Sequence, residues 1–382
     1  MNNTKKRKTI FLKQNKKTKK KGVTKVKGKV TSHYLLDKVT IGKEIGKGMQ
    51  GTVYIAIDNK GNKYAYKIEK MLPASVQKSL ISPHWREIDF ALNIANKYPN
   101  QFIVLYDYKI NLNCKHKQLY SNNVKSWIQK ANHIKQLIKS PYCSIKLWSM
   151  IDGTLHKLLN NNIFHSAKHN IAYDIFIQIV YIVYLMCNSG YKHGDFHDSN
   201  IGYVNTNKKY INILGNLIPT HGYIFKAIDF GSILHTKYPT WQKMNELSND
   251  LFSVITTFCC PGNIYNITKQ TPNIIKINGK IWNWREHWVN DDCTLTKTDI
   301  HNLSKYLPNQ LINSDSGFKD MLLNTLYKLV NYEQWQRQIL QDDSIIGIKP
   351  DYLIPLESIL YIIKHIYKPT IILKYLLKNR NI

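Results

Sequence analysis

Acidic side chains are scarce in this chain: 25 Asp and Glu stand against 54 Lys and Arg, a formal net charge of +29 over 382 residues. A balance so far from neutral points to acidic partners, whether substrates, nucleic acid or an anionic surface. Cysteine is sparse as well. The six (Cys114, Cys143, Cys187, Cys259, Cys260, Cys293) include no Cys-x-x-Cys pair and no regular framework, which argues for a reducing compartment. No signal peptide is read at the start. A long unbroken apolar run is also missing. The most apolar stretch, Ile171 to Cys187, is interrupted by Asp174 and Gln178, so it reads as a buried helix and no transmembrane segment is expected. Hydrophobic residues still make up 43% of the chain, enough for a sizeable core in one large two-lobed domain or two ordinary ones.

The positive charge is unevenly spread. Residues 1–29 hold 13 Lys or Arg and no acid, leaving about +16 for the remainder. Residues 1–32 have too few apolar side chains to offset chain entropy and are expected to form a disordered basic tail. Coulomb attraction would let this tail act as a nuclear localisation signal, contact nucleic acid or rest on an acidic surface. A solvated tail with no defined partner accounts for the same charge run. Asn, Lys, Ile and Tyr are abundant, the coding bias of an AT-rich genome.

The densest chemistry lies in Tyr191-Lys192-His193-Gly194-Asp195-Phe196-His197-Asp198-Ser199-Asn200, directly after the apolar stretch. Asp195 can accept a hydroxyl proton, and the amide of Asn200, five residues later, can ligate a divalent cation; phosphoryl transfer needs that pairing. Three further features precede or follow it in order. Glycines 46, 48 and 51 lie between two strand-like segments, where backbone N–H groups could approach phosphate oxygens, although an ordinary hairpin would also place glycine there. Lys67 sits in the strand-like segment Tyr64 to Ile68. Asp229-Phe230-Gly231 follows another such segment and offers a second hard oxygen ligand, suited to magnesium or manganese. Between them, Trp85 to Lys97 has the apolar spacing of a helix, on which Glu87, or failing that Asp89, is placed to pair with Lys67.

Taken in order, these motifs resemble the protein-kinase-like superfamily over roughly Val39 to Val254, and especially the atypical Ser/Thr protein kinases of large DNA viruses. The resemblance implies an α+β bilobal fold: a small antiparallel β-sheet lobe at 33–150, with an insertion at about 112–140, and a mainly helical lobe at 151–382. It implies ATP with Mg2+ or Mn2+. Ile45, Gly46, Lys47, Gly48, Gly51, Val53 and Ala65 would surround the nucleotide, with Lys67 on its phosphates and Glu87 orienting Lys67. Asn200 and Asp229 would hold the metal, Asp195 would act as the base, and His197 would stand where protein kinases usually carry a lysine. Ile151 to Leu155 resembles the connector between lobes, and Asp250 the aspartate that anchors the catalytic loop. A virus-encoded kinase acting on proteins inside the cell is implied, in the host cytoplasm or the virion, with the nucleus open to a chain bearing such a tail.

Three departures bear on the substrate. Gly194 replaces the arginine that binds a phosphorylated activation loop, so no activation of that kind is expected. The segment between Gly231 and Asp250 is short and has no Ala-Pro-Glu, and His-Gly-Asp-x-His matches small-molecule phosphotransferases of the aminoglycoside or choline type. A phosphotransferase of that class is therefore the alternative. A nucleic-acid-binding or scaffold protein on an inactive kinase fold is the third reading, supported by charge and opposed by the presence of Lys67, Asp195, Asn200 and Asp229. Beyond Phe258 the pattern reads as helices, including Ile281 to Trp288, Phe318 to Leu340 and Leu356 to Leu377; Trp282, Trp284 and Trp288 could stack on a base or a partner, but their apolar neighbours favour packing in the core of the large lobe.

Overall fold

The computed structural model describes residues 35–47, 51–112, 114, 136–137, 139–160, 169–236, 250–259, 274–277, 280–283, 295, 297–313, 318–327 and 356–380. The basic tail at 1–32, Gly48, most of the 112–140 insertion and the Gly231-to-Asp250 link beyond Thr236 lie outside them. The described chain is mixed α+β, and its strand pairs are antiparallel apart from one isolated bridge.

β-branched and aromatic residues alternate through the first half and build a five-stranded sheet. Its members are β1 (Val39–Lys47), β2 (Gly51–Asp58), β3 (Lys63–Met71), β4 (Leu105–Asn111) and β5 (Tyr142–Ser149), in the order β1-β2-β3-β5-β4. Strands β4 and β5 are antiparallel neighbours, so residues 112–141 connect adjacent strands. One side of the sheet holds a small core of Leu36, Ala56, Tyr66, Cys114, Cys143, Ile145 and Leu147. The cysteines carry a correction. Cys114 and Cys143 form a disulfide, Cα to Cα 5.6 Å, because the β4–β5 pairing brings together residues 29 apart in sequence.

Helix α1 (Pro83–Asn93) starts where Pro83 supplies a preset φ and needs no N–H partner, and a 3-10 turn at Ala95–Lys97 follows it. Trp85, Ile88, Phe90 and Ala91 are buried, and so are Arg86 and Glu87, so the helix is enclosed on more than its apolar stripe. The next segment reaches the second half of the molecule, where Phe102 bridges Ala227 and Ala227 donates its N–H to the Gln101 carbonyl at 2.9 Å.

The second half is organised around α3 (His169–Asn188), preceded by β6 (Gly153–Thr154) and α2 (Leu155–Asn160). Among the described residues, Ile171–Asn188 alone is long and apolar enough to cross a membrane, but 72% of it is buried inside this fold. Its polar interruptions are neutralised in place. Asp174 accepts from His221 Nε2 at 2.7 Å and Arg380 Nε at 2.6 Å, while Gln178 Oε1 accepts the Phe225 N–H at 3.2 Å. Apolar residues on nearly every face, from Ala172 to Met186, then join one continuous core with α1, with Ile224, Phe225 and Ala227, and with the C-terminal helices.

After α3 come β7 (Tyr191–Lys192), β8 (Ile201–Asn205), β9 (Tyr210–Ile213), β10 (Asn216–Pro219), β11 (Tyr223–Ala227) and β12 (Leu234–His235). Sheets β11-β8-β6 and β12-β7 hold the 193–200 loop and the 228–233 turn between their strands. Helix α4 (Asp250–Cys259) follows. The helix expected at Ile281 to Trp288 is corrected in its first part, since β13 (Ile274–Ile277) and β14 (Lys280–Asn283) form a hairpin; Trp284 and Trp288 lie outside the described residues. The chain ends in α5 (Lys297–Ser304), α6 (Asn309–Ile312), α7 (Leu356–Lys364) and α8 (Pro369–Lys378), the last packed along α3.

Candidate active site

Strand alternation places Ala65, Lys67 and Glu69 on one face of β3. Lys67 Nζ donates to Glu87 Oε1 on α1 at 3.2 Å and to Asp229 Oδ1 at 2.8 Å, and lies 3.0 Å from Glu69 Oε1. Burial works against the charge on Lys67, but Glu69, Glu87 and Asp229 overrule it and hold its pKa well above the usual lysine value. The Lys67 ammonium in turn keeps the Asp229 carboxyl below its ordinary range, against the cost of burial. Glu87 is therefore a buried partner of Lys67. Asp89 instead accepts from Tyr191 OH at 3.2 Å and from Asn93 at 2.9 Å.

Three residues of this cluster, Glu69, His84 and Lys146, escaped the sequence reading. Lys146 on β5 lies opposite Lys67 in register and contacts the second carboxylate oxygens of both Glu69 and Glu87. His84 Nδ1 lies 3.5 Å from Glu69. The period-2 spacing from Lys67 could have found Glu69. Nothing local marks Lys146, whose partners lie 59 and 77 residues away.

Asp229 adopts a left-handed backbone, φ +56°, at the end of β11, and its side chain is 46% exposed. The next residue points inward: Phe230 is fully buried against Phe90, Phe102 and Trp148, with ring centroids 4.7, 6.2 and 5.8 Å away. That anchor fixes where the preceding carboxylate projects.

The 193–200 loop is fastened from below. Asp250, at the start of α4, accepts the His193 N–H at 2.7 Å and the Gly194 N–H at 3.0 Å, and the fully buried His193 pairs through Nε2 with the Ile228 carbonyl at 2.8 Å. Desolvation raises the pKa of buried Asp250, an effect the two N–H donors and His193 oppose. Gly194 has φ +80°, and a Cβ there would fall 2.5 Å from the Ser232 carbonyl oxygen. This site excludes any side chain.

No protein-family model matches this chain, and no curated protein matches it significantly. The local chemistry therefore rests on geometry. Asp195 presents a carboxylate that is 55% exposed, with Oδ2 accepting from Asn200 Nδ2 at 3.3 Å. Asn200 Nδ2 also donates to the Asp195 carbonyl at 2.8 Å, which fixes the amide plane. His197 Nδ1 accepts the Ser199 N–H at 3.2 Å, and its Nε2 lies 3.1 Å from Asn200 Nδ2 and 3.7 Å from Asp195 Oδ1. Next to this group, His156 on α2 pairs with Asp198 at 2.7 Å.

The glycine turn is described on both flanks. Gly46 is in register with Val53 and Lys47 with Thr52, while Ile45 is exposed and Val53 half-buried. Gly51 is sterically required, because a Cβ would meet the Ile68 carbonyl at 2.4 Å and Glu69 Cγ at 2.5 Å. Ala65 packs against the main core. Of the sequence-predicted residues, Lys67, Glu87 and Asp229 meet directly, and Asp195, His197 and Asn200 form a second contiguous group. Gly48 lies outside the described residues.

Proposed function

We propose that this chain is an ATP- and magnesium-dependent phosphotransferase on a bilobal protein-kinase-like fold. Residues 33–150 form the nucleotide-binding lobe and 151–382 the acceptor-binding lobe. The observation that carries the reading is the convergence of Lys67, Glu87 and Asp229, 162 residues from first to last, on one ammonium group. Three separate sequence motifs supply these groups, and their meeting is what phosphoryl transfer from a triphosphate needs.

The donor set suits a small divalent cation. Asp229 and Asn200 supply hard oxygen ligands, and magnesium, which keeps several waters and takes phosphate oxygens, needs no more protein ligands than that. Bound there, Mg2+ or Mn2+ supplies charge neutralisation on the phosphates. Lys67, held by Glu87, binds the phosphate chain from the other side, and the 46–51 turn offers backbone N–H groups over it. Asp195 orients the acceptor hydroxyl and takes its proton as the acceptor oxygen bonds to the γ-phosphorus and the bridging oxygen departs with ADP. The proton then passes to solvent. His197 stands beside Asp195 and Asn200, facing the oxygens that carry developing charge. Positioning and charge stabilisation supply most of the acceleration.

The acceptor is a Ser or Thr hydroxyl of a protein, with the basic surface favouring acidic substrates or proteins gathered on nucleic acid. The site of action is inside the host cell or virion. A small-molecule acceptor is the second reading, favoured by the close fit around Gly194 and by His197 beside Asp195. Gly194 leaves no room for an arginine that would answer a phosphorylated loop, so activity does not depend on one. The test offers γ-labelled ATP with magnesium and either mixed proteins or sugars and amino alcohols. Label on protein supports the first reading, label on small molecules the second, and label on neither overturns both.

A further inference from the structure

We propose that Glu69 and Lys146 are opposed positioning residues that set how strongly Lys67 holds a nucleotide phosphate: Glu69 competes for the ammonium, and Lys146 weakens that competition. The proposal rests on the phosphotransferase reading above.

A lysine ammonium has three N–H donors. In this structure Nζ of Lys67 has three carboxylate neighbours, Glu69 at 3.0 Å, Glu87 at 3.2 Å and Asp229 at 2.8 Å. With Asp229 engaged by a metal, one donor would be available to phosphate while Glu69 and Glu87 would still hold Lys67. Glu69 is the unusual member. It lies on the same strand as Lys67, is 1% exposed, and takes space that Gly51 leaves open by having no Cβ.

Lys146 answers it. With no exposed side-chain area, Lys146 bonds Glu69 and Glu87 through the oxygens directed away from Lys67. Stability alone does not call for such an arrangement, since a buried ion pair is often replaceable by apolar residues without loss. Leaving His84 aside, Lys67 and Lys146 face Glu69, Glu87 and Asp229, a formal charge of minus one. Glu69→Gln brings this to zero, Lys146→Met makes it minus two, and the double variant restores minus one.

The test measures MgATP binding by calorimetry in the full chain. Glu69→Gln should tighten binding about tenfold and Lys146→Met weaken it about tenfold, as one unit charge acting across a partly buried site requires, with the double variant near wild type. A merely structural pair would weaken binding in both single variants, and that result overturns the proposal. If Lys146→Met does not fold, the double variant decides in its place: binding well below wild type overturns the opposition of charges. A second readout needs no nucleotide. Acylation of Lys67 by a small amine-reactive ester at fixed pH, followed by peptide mass spectrometry, should be faster in Glu69→Gln than in wild type and slower in Lys146→Met. Equal rates overturn the proposal. Failure of wild type to bind MgATP overturns the phosphotransferase reading instead, and the labelling rates still decide whether the pair controls Lys67.

Discussion

Gly194→Ala isolates the fit of the loop that carries Asp195. A residue with a side chain pays about 1–2 kcal/mol to hold the left-handed conformation that Gly194 adopts at φ +80°. The added methyl would also sit 2.5 Å from the Ser232 oxygen, against a floor near 3.0 Å, so the loop and the turn after Asp229 must separate. Separation loosens the bond from Gly194 N–H to Asp250, a loss of about 1 kcal/mol. The expected destabilisation is about 2–3 kcal/mol, read from the urea midpoint followed by tryptophan fluorescence, with an unchanged denaturant slope. Labelled-phosphate transfer should fall further than stability does, because Asp195 follows the displaced residue directly. A Gly194→Ala protein within about 0.5 kcal/mol of wild type and fully active would refute the steric argument, and with it the explanation of why no arginine stands there.

Lys226 is buried on β11 with Nζ against the Pro99 carbonyl, and desolvation, helped by Lys208, lowers its pKa from 10.5 to about 8. The unfolded chain therefore binds more protons than the folded one between those values, so the cost is fully present below about pH 8 and fades as pH rises to 10.5. Lys226→Met removes on the order of 3 kcal/mol of that cost at pH 7 and leaves a carbonyl unpaired at about 1 kcal/mol. Its melting temperature should exceed wild type at pH 7 and lose the advantage near pH 10; a lower value at pH 7 contradicts the assignment. Reducing Cys114–Cys143, or replacing Cys143 with Ser, reopens a loop of sequence separation 29. On chain-entropy grounds that costs about 3.5 kcal/mol, and chemical denaturation with and without a reducing agent measures it.

How much of this was legible in the sequence depended on whether the physics was local. The turn glycines, Lys67, Asp195, Asn200 and Asp229 stand in short ordered motifs, and α1 and α3 follow from apolar spacing. Even the interruptions of α3 were informative, since Asp174 and Gln178 meet His221, Arg380 and Phe225 inside the fold. Lys146 and the Cys114–Cys143 bond were invisible because strand pairing alone creates them. Glu69 was overlooked although it lies two residues from Lys67 on the same face. Strands β13 and β14 were misread as helical because a short run of aromatic and aliphatic residues satisfies either periodicity. The exposed Asp195 and the half-exposed Asp229 could be named from sequence. Their hydrogen bonds, which decide what each can do, could not.

The most direct test of the central claim is transfer of γ-labelled phosphate from ATP with magnesium, comparing wild type, Asp195→Ala and Lys67→Met. Wild type should transfer phosphate to an acceptor. Asp195→Ala should bind MgATP but transfer nothing measurable, and Lys67→Met should lose both. Transfer that survives in Asp195→Ala, or MgATP binding that is indifferent to Lys67, would contradict the account.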